Sequence, residues 1–163
     1  MARRDDRLPT RRSHWILAGL LIVFGVAIVA FLRNGTSESG AYELQPDNAD
    51  LVALGETVYA ENCAACHGAD LEGEPNWQRR MADGRLPAPP HDETGHTWHH
   101  PDELLVKLTK YGLPKVVNGQ PYVTDMPAFE EVLSDEEIIA ALSYIKSRWP
   151  PIVRNRHDQM NAR

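Results

Sequence analysis

Apolar residues recur at helical spacing in three stretches of the chain, and polar or irregular segments separate them. The first stretch begins near Asp47 or Asn48, since both residue types cap the N-terminus of a helix, and it runs to Cys63. Its apolar positions, three or four residues apart as on one helix face, are Leu51, Leu54, Val58 and Tyr59. Gly55 shares this face, so another helix could approach closely there.

The second and third stretches carry clear start and stop signals. The second begins at Pro101, a favoured first helical position, and stops at Gly112. Its apolar residues are Leu104, Leu105 and Leu108. The third begins at a capping box formed by Ser134 and Glu137 and ends at Pro150. Its apolar residues are Ile138, Ile139, Leu142, Ile145 and Trp149.

The segments between these helices are unusually long. Residues 68–100 and 113–133 show no helical period, and such loops are uncommon in a compact domain unless something organises them. Three apolar stripes also make a thin core for the all-α domain that we predict over residues 48–149. A large apolar cofactor would supply both the missing core and the organisation. The final residues, 150–163, are polar, and we expect a frayed tail.

An uncharged apolar run covers residues 15–32 and is 18 residues long. At ~1.5 Å per residue, a helix of this length reaches roughly 27 Å, which is enough for a bilayer core. Residues 1–14 contain five arginines, and basic residues stay in the cytoplasm, so we expect a transmembrane anchor with the rest of the chain outside. The alternative is a signal peptide cleaved near Ala27, but the apolar run continues past that position. The polar residues 33–47 would form a tether.

Charge is distributed unevenly along the chain. The formal net charge is −6, yet the first twelve residues hold five arginines and two aspartates, so the remainder carries 12 basic and 21 acidic residues. Because nucleic-acid binding needs a basic face, this balance argues against nucleic acid as a partner. It permits a partner with a basic or weakly polar docking surface.

The only two cysteines, Cys63 and Cys66, are separated by two residues, and His67 follows directly. A disulfide is one interpretation, because an exported chain with an even number of cysteines usually pairs them. Structural zinc would need two more ligands at matching spacing, and a thioredoxin-type site would need a βαβ pattern; the sequence has neither. The full string Cys-Ala-Ala-Cys-His is the attachment motif of c-type haem, in which both thiols bond to the haem and the histidine faces its iron. We therefore favour one covalent haem c, bound through both cysteines.

With this motif, residues 48–149 resemble the class I c-type cytochromes. Gly55 and Tyr59 look like that family's glycine and aromatic residue in the first helix, and residues 142–145 (Leu-Ser-Tyr-Ile) are similar to its aromatic contact in the last helix. The resemblance implies three or more helices around one covalently bound haem, with the first and last helices crossing near-perpendicularly. The predicted anchor makes the chain similar to membrane-bound cytochromes of bacterial respiratory chains, with the anchor in the inner membrane and the haem domain in the periplasm.

The resemblance also implies a second axial ligand. Met126 lies in the string Tyr-Val-Thr-Asp-Met-Pro-Ala-Phe, which resembles the family's Met-Pro-x-Phe loop before the final helix. Since a thioether stabilises ferrous iron and raises the potential, we predict that His67 and Met126 ligate the iron. The family anchors the other histidine nitrogen on a proline carbonyl; the candidates here are Pro75 and the run 87–90, and we favour the run. An insertion-like segment, residues 76–86, separates the two candidates.

Four histidines fall within ten residues: His91, His96, His99 and His100. One interpretation is a second metal site for copper or zinc. The other is a polar rim, in which a histidine or Trp98 bonds a haem propionate and a histidine caps the helix that follows. We favour the rim, because no carboxylate or cysteine ligands occur at regular spacing around these histidines.

The resemblance implies a membrane-anchored monohaem cytochrome that carries single electrons from a quinol-oxidising complex or a dehydrogenase to an oxidase. Its partners would be redox proteins of the respiratory chain. No nucleophile and base are evident together in the sequence, so we do not expect an enzyme. The alternatives are an electron-transfer subunit of a larger oxidoreductase, a gas-binding or peroxidase-like haem protein with an open sixth position, and a copper-handling protein.

Overall fold

A computed structural model describes residues 42–116 and 123–162, which fold into helices and irregular segments with no strand among them. The elements are α1 (Ala49–Asn62), α2 (Ala64–His67), a 3₁₀ turn (Thr97–His99), α3 (Asp102–Tyr111), α4 (Leu113–Val116), α5 (Asp135–Ser147) and α6 (Pro151–Asn161). The all-α prediction is confirmed for this part of the chain. The predicted anchor, residues 15–32, lies outside the described residues, and within them no helix has the length and apolarity needed to cross a membrane.

Two of the three predicted helix starts are confirmed by side-chain caps. The other helix, α3, begins one residue later than predicted, at Asp102, because Pro101 is its N-cap and makes no side-chain cap bond. The Asn48 side chain accepts a hydrogen bond from the backbone N–H of Leu51 at 3.2 Å, so α1 starts where the polar residue satisfies a free donor. At α5, the N–H of Glu137 donates to the Ser134 hydroxyl at 3.2 Å, and the Glu137 carboxylate accepts from the N–H of Ser134 at 2.8 Å. Both halves of the capping box therefore form.

Helices α1 and α5 pack against each other at Gly55. A Cβ on Gly55 would lie 2.0 Å from the backbone oxygen of Ala140, so only glycine permits this approach. One turn further along, the rings of Tyr59 and Tyr144 meet with centroids 5.5 Å apart. The glycine and aromatic positions expected in these two helices are therefore in contact.

The buried faces of α1 and α3 are shifted from the predicted stripes. In and just after α5, the predicted positions Ile138, Leu142, Ile145 and Trp149 are buried as expected. In α1 the buried residues are Gly55, Val58 and Tyr59, whereas Leu54 is 38% exposed. Leu54 was predicted to be buried, but successive helical residues are rotated by about 100°, so it lies to one side of a face centred on Gly55 and Tyr59. In α3 the fully buried apolar residues are Leu105 and Val106, while Leu104 and Leu108 are half-buried.

The polar C-terminal residues, 150–163, are not frayed as predicted, because Pro151–Asn161 form α6. Proline at the first helical positions is pre-set for a helix, and Val153 and His157 are buried against the domain. The guanidinium of Arg154 also makes two contacts of 2.8 Å with the Asp47 carboxylate. Contacts with residues that are distant in sequence therefore stabilise α6, whose few apolar residues would not be enough to do so.

The folded domain also begins earlier than residue 48, where the tether was expected to end. Leu44 is 4% exposed and belongs to the core. Its backbone N–H donates to the Asp102 carboxylate at 2.9 Å, and the N–H of Gln45 donates to the Ser143 hydroxyl at 2.9 Å. This segment is part of the domain, because the Leu44 side chain is buried in the core and the backbone N–H groups of Leu44 and Gln45 are hydrogen-bonded there.

His157 is fully buried, and the partners of its two ring nitrogens suit the neutral form, with the Asp102 carboxylate 3.5 Å from Nε2. Its Nε2–H donates to the carbonyl of His100 at 2.9 Å, and its Nδ1 lies 3.3 Å from the amide nitrogen of Asn161, which donates to it. The amide cannot simply turn over, because its oxygen accepts the backbone N–H of Asp102 at 2.8 Å. Burial, and then the nearby Lys146 ammonium, lower the pKa of His157.

We expect Gly55→Ala to lower the free energy of unfolding by about 2 kcal/mol, because the added methyl collides with backbone and outweighs the helix propensity that alanine gains. Urea unfolding of the whole protein measures the change. Glu56→Ala, on the exposed side of the same helix, is the matched control and should change stability by less than about 0.5 kcal/mol. Equal stability of both variants would contradict the close approach of α1 and α5.

We expect the stability of the protein to fall between pH 7 and pH 5 in part through His157. The folded state depresses the pKa of this group, so its contribution is complete above about pH 6.5, the unfolded value, and is lost as the pH falls below it. His157→Gln keeps a donor for the His100 carbonyl but cannot titrate. Unfolding at the two pH values should therefore show a smaller loss in this variant, and identical losses would refute the assignment.

Candidate functional site

The end of α1 and the short helix α2 place both cysteines on one helical turn. The N–H of Cys63 donates to the Tyr59 carbonyl at 2.9 Å, and the N–H of His67 donates to the Cys63 carbonyl at 2.9 Å. Cys63 is the cap between α1 and α2, and Cys66 lies in α2, so the two thiols lie within one turn of the chain. Both cysteines are free thiols, and Cys66 is exposed while Cys63 is half-buried.

The electrostatics of the thiols argue against a redox-active dithiol. Burial, and then the neighbouring Cys66, raise the pKa of the Cys63 thiol to about 11. Catalytic dithiols need a lowered pKa, because the thiolate is the attacking species. The described residues contain no strand and so no βαβ pattern, and Cys63 lacks the lowered pKa that the thioredoxin-type interpretation needs.

His67 is buried, and one of its ring nitrogens is already committed. Its Nδ1 lies 2.8 Å from the carbonyl oxygen of Pro89. A carbonyl can only accept, so Nδ1 carries the proton and Nε2 is left with its lone pair free for a metal. Burial lowers the pKa of the ring, against the opposing effects of the Pro89 bond and of Glu74, which favours the neutral ligand form. The favoured proline run is thus confirmed as the anchor, and Pro75 is not the acceptor.

The segment around Pro89 is held in place by close backbone contacts. A Cβ on Gly73, whose φ is 68°, would lie 2.4 Å from the nitrogen of Pro90. A Cβ on Gly95 would lie 1.9 Å from the oxygen of Pro90. The run therefore passes between two residues that must be glycine, a requirement invisible in the sequence because neither glycine adjoins the prolines.

The insertion-like segment, residues 76–86, leaves this arrangement intact because its base is closed. The N–H of Glu74 donates to the Ala88 carbonyl at 2.8 Å, and the N–H of Ala88 donates to the Glu74 carboxylate at 2.6 Å. The residues between these two positions form an outer loop whose base is closed next to Pro89.

Met126 lies in a separate irregular segment that is fixed on α3. It is half-buried, and its N–H donates to the Thr124 hydroxyl at 3.0 Å. The chain that follows it is attached to α3 by the N–H of Phe129, which donates to the Thr109 carbonyl at 3.1 Å. An ion pair between Asp125 and Arg85 connects the segment to the insertion. Ligation of iron by the Met126 sulfur stays a prediction.

The histidine cluster divides into one half-buried member, His91, and an outer group. His91 stacks on His67 with ring centroids 4.0 Å apart and an interplanar angle of 23°. In the outer group, His96 packs against Trp77 and His100 at 5.4 and 5.6 Å between centroids. The indole N–H of Trp98 donates to the Glu93 carbonyl at 3.3 Å. Across the residues that the structure describes, no three histidine, cysteine or acidic side chains are placed to hold a metal ion.

The donor set at α2 fits a c-type haem. Two thiols on one turn and an imidazole with a free Nε2 are the groups that attach this cofactor and ligate its iron. An all-helical domain with this site defines a protein that carries covalent haem.

Comparison with known families agrees, because the family model described as Cytochrome c matches residues 52–149, more than half of the chain. The chain belongs to the cytochrome c family, whose members carry covalent haem c and transfer electrons. No curated protein and no solved structure matches it.

We expect Gly95→Ala to lower the free energy of unfolding by about 2 kcal/mol, because the new Cβ would collide with the Pro90 carbonyl and displace the acceptor of His67. The haem-loaded protein is unfolded in denaturant to measure this. Glu93→Ala, two residues away and exposed, serves as the control and should be nearly neutral. A neutral Gly95→Ala would show that the contact with Pro90 does not constrain this loop.

Proposed function

We propose that this protein is a membrane-anchored monohaem cytochrome that carries single electrons on the periplasmic side of a bacterial inner membrane. Haem c is attached through Cys63 and Cys66, and His67 and Met126 ligate its iron. The observation that carries the proposal is the 2.8 Å bond from His67 Nδ1 to the Pro89 carbonyl, since it leaves Nε2 as the free ligand atom beside two thiols.

The chain's residues would hold the haem and limit structural change around it when the iron changes oxidation state. When bound, the haem supplies the one-electron couple of iron. The Pro89 carbonyl keeps the proton on Nδ1 of His67, so the same nitrogen faces the metal in both oxidation states. The buried surroundings of His67 exclude water from its ring, and a thioether at Met126 would favour the ferrous state. Holding His67 in one orientation would keep reorganisation at this ligand small during electron transfer.

The predicted anchor supports the proposed location. The acidic balance of the residues after the first twelve permits partners with a basic or weakly polar docking surface. Residues 15–32 would cross the membrane, with the arginines before them in the cytoplasm. Because Leu44 already belongs to the folded core, the tether between the anchor and the domain would be shorter than residues 33–47. The domain would therefore meet redox proteins of the same membrane: a quinol-oxidising complex or dehydrogenase as donor and an oxidase as acceptor.

Two related proposals share this site. The chain could serve as the electron-transfer subunit of a larger oxidoreductase, which co-purification from membranes with the anchor intact would reveal. A gas-binding or peroxidase-like role would require that no side chain fills the sixth position. Rapid binding of carbon monoxide by the reduced protein would favour that role over the carrier.

We expect Met126→Ala to abolish the weak iron–sulfur charge-transfer band of the oxidised protein and to lower its midpoint potential, because the thioether is lost. Visible spectroscopy and a redox titration of the haem-loaded protein measure the two effects. Met81→Ala removes an exposed methionine and should leave both unchanged. A wild type without the band would overturn the ligand assignment. Covalent haem that survives Cys63→Ser with Cys66→Ser would overturn the attachment.

A further inference from the structure

We propose that His91 is a positioning residue for His67, and that its ring fixes the plane in which the axial imidazole faces the iron. The inference rests on the proposed function, in which His67 is that ligand. It concerns a residue that the family resemblance assigns no role and that the sequence suggested only as part of a polar rim.

A single hydrogen bond does not fix the plane of an imidazole. The bond from His67 Nδ1 to the Pro89 carbonyl holds one edge of the ring, but the ring could still turn about the line joining these two atoms. The ring of His91 lies against the face of His67, with centroids 4.0 Å apart and planes within 23° of parallel. At this distance any turn of His67 toward His91 brings the rings into collision. The Pro89 carbonyl thus restrains one edge of the His67 ring, and the His91 ring restrains one face.

His91 can restrain the rotation of His67 only if it is itself held in place. Three hydrogen bonds hold His91. Its N–H donates to the Leu71 carbonyl at 2.8 Å. Its carbonyl accepts the indole N–H of Trp149 at 2.7 Å. Its Nδ1 lies 2.7 Å from the hydroxyl of Thr97, which is buried.

These partners come from three separate parts of the fold: the loop after α2, the end of α5 and the 3₁₀ turn. The Tyr59 ring, from α1, also forms a T-shaped pair with His91, with 6.3 Å between centroids and 72° between planes. Side chains locked in this way hold a site geometry better than a loop residue alone. The plane of the axial ligand is therefore set by the packing of α1 and α5 as well as by the local turn.

The plane of the axial imidazole can be measured in the oxidised haem-loaded protein. The ring-methyl proton resonances of a low-spin ferric haem are shifted by the unpaired electron, and their order depends on the orientation of the axial ligand plane. Three variants distinguish a role of the flat His91 ring from a role of its bond to Thr97 and from a general effect of losing a histidine. His91→Leu removes the flat ring, His91→Phe keeps a flat ring but loses the Thr97 bond, and His99→Leu removes an exposed histidine that does not contact His67.

We expect His91→Leu to change the order or widen the spread of the four ring-methyl resonances, while His91→Phe and His99→Leu retain the wild-type order. A loss of stability alone would affect the Leu and Phe variants alike and would leave the order unchanged. If His91→Leu keeps the wild-type order, the inference is wrong. Should that variant fail to assemble, Trp149→Phe removes one bond to His91 while leaving both imidazoles, and an unchanged resonance pattern there would equally count against it.

The same experiment separates this inference from the proposed function. A wild type without covalent haem, or without the charge-transfer band of methionine ligation, overturns the proposed function whatever the variants do. A wild type with both properties and an unaffected His91→Leu variant overturns only the role of His91.

Discussion

The hydrogen bond from His67 to the Pro89 carbonyl is the contact on which the site depends. A buried hydrogen bond adds only about 1 kcal/mol to stability. Its importance lies in direction, because it decides which ring nitrogen holds the proton and which is free for a metal. The bond requires the carbonyl to lie in one place. Gly73 and Gly95 allow the backbone to pass there, and the pairing of Glu74 with Ala88 closes the loop around it.

The contact between α1 and α5 connects this site to the rest of the domain. Helix α1 leads directly into the cysteine turn, and α5 leads to Trp149, whose indole binds the carbonyl of His91. Close approach at Gly55 is therefore more than a packing detail. It sets the distance between α1, which ends at the cysteine turn, and α5, which leads to the indole that binds the His91 carbonyl.

Residues on both sides of the family match, 52–149, add a further layer to the domain. Leu44 and helix α6 meet around Asp102, whose carboxylate accepts from the backbone of Leu44 and from the amide of Asn161. Polar groups are costly to bury unless they are paired, and in the described residues every buried side-chain nitrogen and oxygen has a partner. This layer joins the two ends of the described domain through the Asp102 carboxylate.

The sequence by itself determined the helix start at Ser134, the cysteine turn and the all-α class, and it placed the first helix start at Asp47 or Asn48. These features depend on residues within one helical turn of each other, and local spacing records them. Only the tertiary structure decided which proline anchors His67, where His91 lies, that the polar C-terminus is a helix and that Leu44 is core. Each depends on contacts between distant positions: 22 residues separate His67 from Pro89, and 58 separate His91 from Trp149. Such contacts leave no periodic signal, because they are made by the packing of whole elements.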